Sequence, residues 1–244
     1  MDHLVELGSA MTRYAELSDA AFGTEQVPAC PGWTVADLTR HLGTVHRWAA
    51  ATVMSGQRVD QPADVVVTEP VSEWYAAVAS ALLAVLQAVH PDEPTPNFSL
   101  IRERAAFWPR RQLHETTVHS VDVAQALGMD GGGWPVAPVL AADGVDEVLT
   151  VFFPRMTARG RRPDLQGRVR ITATDVGRTW LLEPGSGLHA PPVLAYDAPG
   201  TPHDAEIRGT AEALYLGLWN RWPHDRLEVD GEAGAALLAG PTVP

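Results

Sequence analysis

The chain has 244 residues, 45% hydrophobic and 20% charged, a globular balance that excludes collagen-like, low-complexity and wholly disordered classes. A formal net charge of −12 argues against electrostatic binding of nucleic acid, which needs a basic surface to displace counterions. One cysteine, Cys30, cannot close an internal disulfide, and the 18 basic residues are all arginine, which removes Schiff-base and P-loop lysine chemistry.

In chain order, the opening residues are acidic and lack the basic flank and apolar core of a secretory signal. Residues 2–22 place Leu4, Leu7, Met11, Tyr14 and Leu17 at spacings of three and four, an amphipathic helix. Pro28, Pro31 and Gly32 break the chain. Thr34 and Asp37 then form an acidic capping box that starts a second helix running to about Met54. A third helix spans 72–89. Its weakly polar run, 76–89, carries Ser80 and Gln87 and is too short to span a bilayer. The expectation is a cytoplasmic protein with no membrane partner.

Trp108-Pro109 opens a fourth helix, 108–127, stopped by Gly128; a glycine loop at 131–133 precedes a shorter fifth helix at 139–153. Long antiparallel helices joined by loops predict an up-and-down four-helix bundle. After Pro154 the texture changes. Segments 169–174 and 179–182 are strands around a turn at 175–177, and 204–208 is a further strand. Segment 210–222 is a helix with Leu214, Leu218 and Trp219 on one side. A short strand at 227–229 and a helix at 232–238 close a small α+β domain. The predicted fold class is therefore α+β, mainly α. The domains are 1–158 and 159–244, joined where Arg159 to Arg162 and Pro163 suggest an exposed linker.

The chemistry concentrates in the fourth helix. Glu115 and His119 are four residues apart, on one helical face, where a carboxylate and an imidazole can reach one divalent cation. His114 and His119 are five apart, roughly 140° around the helix, and do not converge. A third ligand must come from a facing helix. His41, in the middle of the second helix, is the best candidate, and His46 the weaker one. Taken singly these signals are common: a mid-helix histidine is more often a hydrogen-bonded core residue, and Asp122 alone a surface charge. Cys30, in a proline-flanked loop without a CxxC partner, is assigned a structural role.

The run Pro31-Gly32-Trp33-Thr34-Val35-Ala36-Asp37-Leu38-Thr39-Arg40-His41-Leu42, followed by Trp108-x2-Arg111-x3-Glu115-x3-His119-x2-Asp122, resembles the mycothiol-dependent maleylpyruvate isomerase family. That family belongs to the DinB-like metal-binding four-helix bundles and carries a C-terminal domain similar to sterol carrier protein. The segment Ile207-Arg208-Gly209-Thr210-Ala211-Glu212-Ala213-Leu214-Tyr215-Leu216-Gly217-Leu218-Trp219-Asn220-Arg221 is similar to that domain's hallmark. The resemblance implies that His41, Glu115 and His119 are zinc ligands, in agreement with the helical geometry. It implies that Arg221, with Arg208 the second choice, serves the active site and binds the cosubstrate. It also implies an actinobacterial source, and only three isoleucines in a lysine-free chain suit a GC-rich genome.

Three protein ligands leave a tetrahedral zinc one open position, the mark of a catalytic site. A cation there deprotonates a thiol, and the thiol would be mycothiol, a low-molecular-weight cosubstrate. Addition to a small electrophilic unsaturated acid followed by expulsion gives cis–trans isomerisation; release of the adduct gives S-transfer. Two other classes stay open: a non-catalytic metal-binding bundle whose second domain carries an apolar ligand, and a partner-binding regulator with a structural metal. Monomer and homodimer are both compatible with the sequence.

Overall fold

Asp2 caps the first helix, its carboxylate accepting from the Leu4 and Val5 amides, and α1 (His3–Ala20) buries Leu7, Ala10, Met11, Tyr14 and Leu17. The computed structural model describes all residues except 61, 63, 64, 66, 68, 69, 130–134, 163, 196, 199, 242 and 244. The glycine loop at 131–133 and Pro163 lie outside the described residues. Two compact units are present, 1–98 with 102–134, and 99–101 with 135–244.

In the first unit the predicted capping box is formed. Thr34 Oγ1 accepts from the Asp37 amide and Asp37 accepts from the Thr34 amide, which starts α2 (Val35–Ser55). Gly56, in the left-handed region at φ 61°, ends it. Helices α3 (Val71–Ala88) and α4 (Phe107–Ala126) complete the set. α1 packs on α4 and α3, and α2 on α3 and α4, so the four helices close a ring around Leu7, Leu38, Leu42, Leu82 and Leu113. α3 is the one described helix long and apolar enough to cross a membrane, with mean hydropathy 1.3; here Tyr75, Ala79, Leu82 and Leu86 pack into the bundle. Gly43 permits the close approach of α2 and α3, since a Cβ there would lie 2.2 Å from the Trp74 ring.

α4 departs from the amphipathic pattern. Fifteen of its 20 residues are buried, among them Arg111, Gln112, His114, Thr116, Thr117, His119, Ser120 and Asp122. A helix so polar inside a bundle needs internal partners for its side chains, and those partners make the site.

In the second unit the expected helix at 139–153 is longer than its sequence pattern. α5 (Pro138–Glu147) runs through a π-helical segment (Val148–Phe152) into α6 (Phe153–Ala158), with Phe153, Pro154, Met156 and Thr157 buried. The boundary expected at 158/159 thus falls inside this unit. Arg162, expected in a solvated linker, is instead buried. Its guanidinium lies 3.7 Å from the Phe153 ring centre and donates to the Leu237 carbonyl at 3.3 Å.

Strands β1 (Val169–Ala173), β2 (Arg178–Glu183), β3 (Val193–Ala195), β4 (Ala205–Gly209) and β5 (Glu228–Asp230) form one sheet in the order β3-β2-β1-β4-β5. All pairs are antiparallel except β1 and β4, where Ile171 opposes Ile207. α7 (Ala211–Leu218) packs on α5 and β4, and α8 (Glu232–Ala239) on β4 and β5. α7 stops at Leu218, short of the expected 222, because Asn220 takes φ 56° in a Schellman ending. The Arg221 amide donates to Leu216 O and the Asn220 amide to Gly217 O. The architecture is α+β and mainly α, as the sequence predicts.

Candidate metal centre

The loop before α2 is a closed double turn. The Cys30 amide donates to Val27 O, the Trp33 amide to Cys30 O, and the Val27 amide to Trp33 O. Gly32 at φ 85° supplies the left-handed residue that the second turn needs after Pro31. The closure delivers Trp33 to the start of α2, where its ring sits 5.0 Å from that of His41.

His41 on α2 meets Glu115 and His119 on α4. Glu115 Oε1 is 3.8 Å from His41 Nε2 and 3.4 Å from His119 Nε2, and one donor atom from each residue lies within 4.8 Å of the other two. A tetrahedral cation with ligand bonds of about 2.0–2.1 Å holds its donors about 3.3–3.4 Å apart, so the donor set, two imidazoles and a carboxylate, fits a divalent metal such as zinc. Among the described residues no other such group of three is found.

The surroundings fix each donor. Arg111, 2% exposed, donates from Nη2 to Glu115 Oε2 at 2.7 Å, which leaves Oε1 for the two imidazoles. Asp122, fully buried, accepts from His119 Nδ1 at 2.8 Å, which sets the ring with Nε2 toward Glu115. Burial would raise the Glu115 carboxyl, but the Arg111 guanidinium and the two imidazoles overcome it and hold the group well below the carboxylate range. Burial would lower the His119 imidazole, yet hydrogen bonds to Asp122 and Glu115 outweigh it and raise the group to about 9.

His46, the weaker ligand candidate, is excluded from this group by its place in the core. Nδ1 lies 2.7 Å from Gln112 Oε1 and Nε2 lies 3.3 Å from the Tyr75 hydroxyl. Burial pushes its pKa down to about 4, so the ring is neutral. His114 is fully buried and likewise outside the group. Cys30 is half-buried within the double turn. In the second unit, Arg221 donates from Nη1 to Trp219 O at 2.9 Å, with Cζ 6.0 Å from the Trp219 ring, while Trp222 stacks on Arg226 instead. Arg208 is 46% exposed and hydrogen-bonded to Glu206 at 3.2 Å. Sequence reasoning missed three partners: Arg111, Asp122 as the acceptor for His119, and Trp33. The first two carry a signal in hindsight, being four residues before Glu115 and three after His119 on a single helix.

Comparison with known proteins gives two matches along the chain. Residues 6–124 match the family described as the mycothiol maleylpyruvate isomerase N-terminal domain, and residues 139–238 match its C-terminal domain. A search of curated proteins finds no match. A crystal structure of the mycothiol-dependent maleylpyruvate isomerase aligns with a TM-score of 0.57 at 13% identity, over 96% of this chain and 92% of that one. A mutant form of that isomerase aligns with a TM-score of 0.59 at 11% identity and the same coverage. At such identities these structures establish a shared fold.

Proposed function

The chain belongs to the mycothiol maleylpyruvate isomerase family, and from that premise we propose that it is a metal-dependent isomerase using mycothiol as cosubstrate on a small unsaturated acid. His41, Glu115 and His119 are the proposed ligands of one divalent cation, with zinc the metal of choice. The observation that carries this reading is their convergence from two helices, with Arg111 and Asp122 each holding one donor in place.

When bound, a divalent cation lowers the pKa of a nearby thiol, so that it reacts as thiolate at neutral pH. The protein's own groups do the rest. Arg111 takes the second oxygen of Glu115, so the carboxylate presents a single oxygen. Asp122 keeps the Nδ1 proton of His119, so Nε2 offers its lone pair. Trp33 shields one side of His41. The half-buried Cys30 stays structural, and the nucleophile comes from the cosubstrate. Its sulfur bonds to the electrophilic alkene carbon, the π pair moves onto the neighbouring carbon toward the carbonyl, and the former double bond rotates. Return of the pair expels the thiolate and leaves the trans isomer, with no net consumption of thiol. Arg221, and after it Arg208, is the proposed grip for a substrate carboxylate, since a guanidinium binds one bidentately and keeps its charge.

The test is metal analysis of tag-free protein with an isomerisation assay on maleylpyruvate, with and without mycothiol and before and after chelation. Bound metal in the wild type, its loss in His41→Ala, and activity that needs both thiol and metal are expected. Far-UV helicity should survive chelation, because the bundle core does not rest on the ion. Isomerisation by metal-free protein refutes the reading, and a stable thioether as the product reassigns the reaction to S-transfer.

A further inference from the structure

The buried pair His46 and Gln112 lies outside the candidate centre, yet it belongs to the same helix–helix contact. His41 on α2 meets Glu115 and His119 on α4, two residues centred on position 117, while His46 meets Gln112. Five residues forward on α2 therefore correspond to five residues back on α4. Both contacts belong to a single antiparallel register, and a slip of one residue, about 1.5 Å and 100° of rotation, breaks both.

The pair is also built for direction and not for strength. His46 is fully buried and neutral, its Nδ1–H donating to Gln112 Oε1 while Nε2 accepts from Tyr75 on α3. Gln112 is fully buried too, and its Nε2 has no hydrogen-bond partner. An unsatisfied buried amide N–H costs stability. An apolar pair would fill the space without that cost but would define no unique register.

Resting on the proposed metal site, we propose that His46 and Gln112 are positioning residues: their hydrogen bond fixes the register of α2 against α4 that brings His41 to Glu115 and His119. Neither residue touches the centre. The bond makes one relative setting of the helices favourable, and the three-donor geometry follows from it.

The experiment measures Zn2+ affinity of the full chain by competition with a chromophoric chelator, alongside thermal unfolding. In the double variant His46→Leu/Gln112→Leu both members of the pair disappear together, and the Tyr75 hydroxyl loses His46 but keeps Thr116, so the melting temperature should stay near the wild-type value while Zn2+ affinity falls at least tenfold. His46→Asn, whose amide nitrogen stands close to the position of Nδ1, should keep affinity within threefold of wild type. A structural role alone predicts that affinity tracks stability across the series; the proposal predicts that the two separate. Wild-type affinity in the folded double variant overturns it. Should that variant fail to fold, Gln112→Leu decides, because His46 retains Tyr75: unchanged Zn2+ affinity there also overturns the proposal. Failure of the metal reading looks different, since wild type itself then shows no Zn2+ site that depends on His41.

Discussion

Replacing Asp122 with asparagine tests how far the candidate centre depends on a residue that offers no ligand. Asp122 is fully buried and accepts from His119 Nδ1 at 2.8 Å. Asparagine keeps the volume and an acceptor oxygen and removes the charge. A hydrogen bond with an ionised partner contributes about 1.5–3 kcal/mol and a neutral one about 0.5–1.5, so the change costs His119 about 1–2 kcal/mol of orientation and basicity. That corresponds to roughly 5–30-fold in affinity. It overlaps the 10–100-fold that outer partners of metal-bound histidines generally contribute. The expectation is a Zn2+ dissociation constant raised by about 10–30-fold in Asp122→Asn, read by chelator competition, with helicity retained. A constant within threefold of wild type would refute the claim that Asp122 orients His119.

Three further outcomes are expected. Arg221→Lys keeps the charge and loses the bidentate fork, so kcat/KM should fall at least about tenfold, or ~1.4 kcal/mol, with metal content unchanged; near-normal kinetics would return Arg221 to its place at the end of α7. Cys30→Ser should keep most of its activity and still require added thiol, and an enzyme active without thiol but silenced by this change would reverse the assignment of the nucleophile. Hydrogen bonds from Arg170 hold the Asp197 carboxyl below its ordinary value. A depressed folded pKa stabilises above the unfolded value of about 3.9 and is lost as pH falls through the folded one. The stability gap between wild type and Asp197→Asn, measured in urea at pH 7, should therefore close on acidification below about pH 4; a gap that persists undiminished at about pH 2 argues against the pair.

The elements that could be read from sequence are those whose local chemistry is self-sufficient. Thr34 and Asp37 announce the start of α2 because both halves of the capping box lie within four residues. Glu115 and His119 announce a shared face because helical spacing alone brings them together. What escaped depends on distant partners. β3 is three residues long and exists because Leu182 pairs with Leu194, a contact invisible to periodicity. Arg162 reads as a linker charge until Phe153 and the carbonyl of Leu237 are beside it. α7 ends early because Asn220 accepts a left-handed backbone, which composition does not announce. His46 reads from the sequence as the weaker ligand candidate, and its partner Gln112 carries no sequence signature at all.

The paired positions on α2 and α4 also bear on which changes in chain length the fold can absorb. One residue inserted between 41 and 46, or between 112 and 119, would turn everything beyond it by about 100° and carry a donor off the shared face. The connection between α2 and α3 lies outside both intervals, so lengthening or shortening it leaves the donors facing one another. Homologous chains should therefore differ in length at their loops while holding these two intervals constant to the residue, even where identity falls as low as it does among the solved structures compared with this chain.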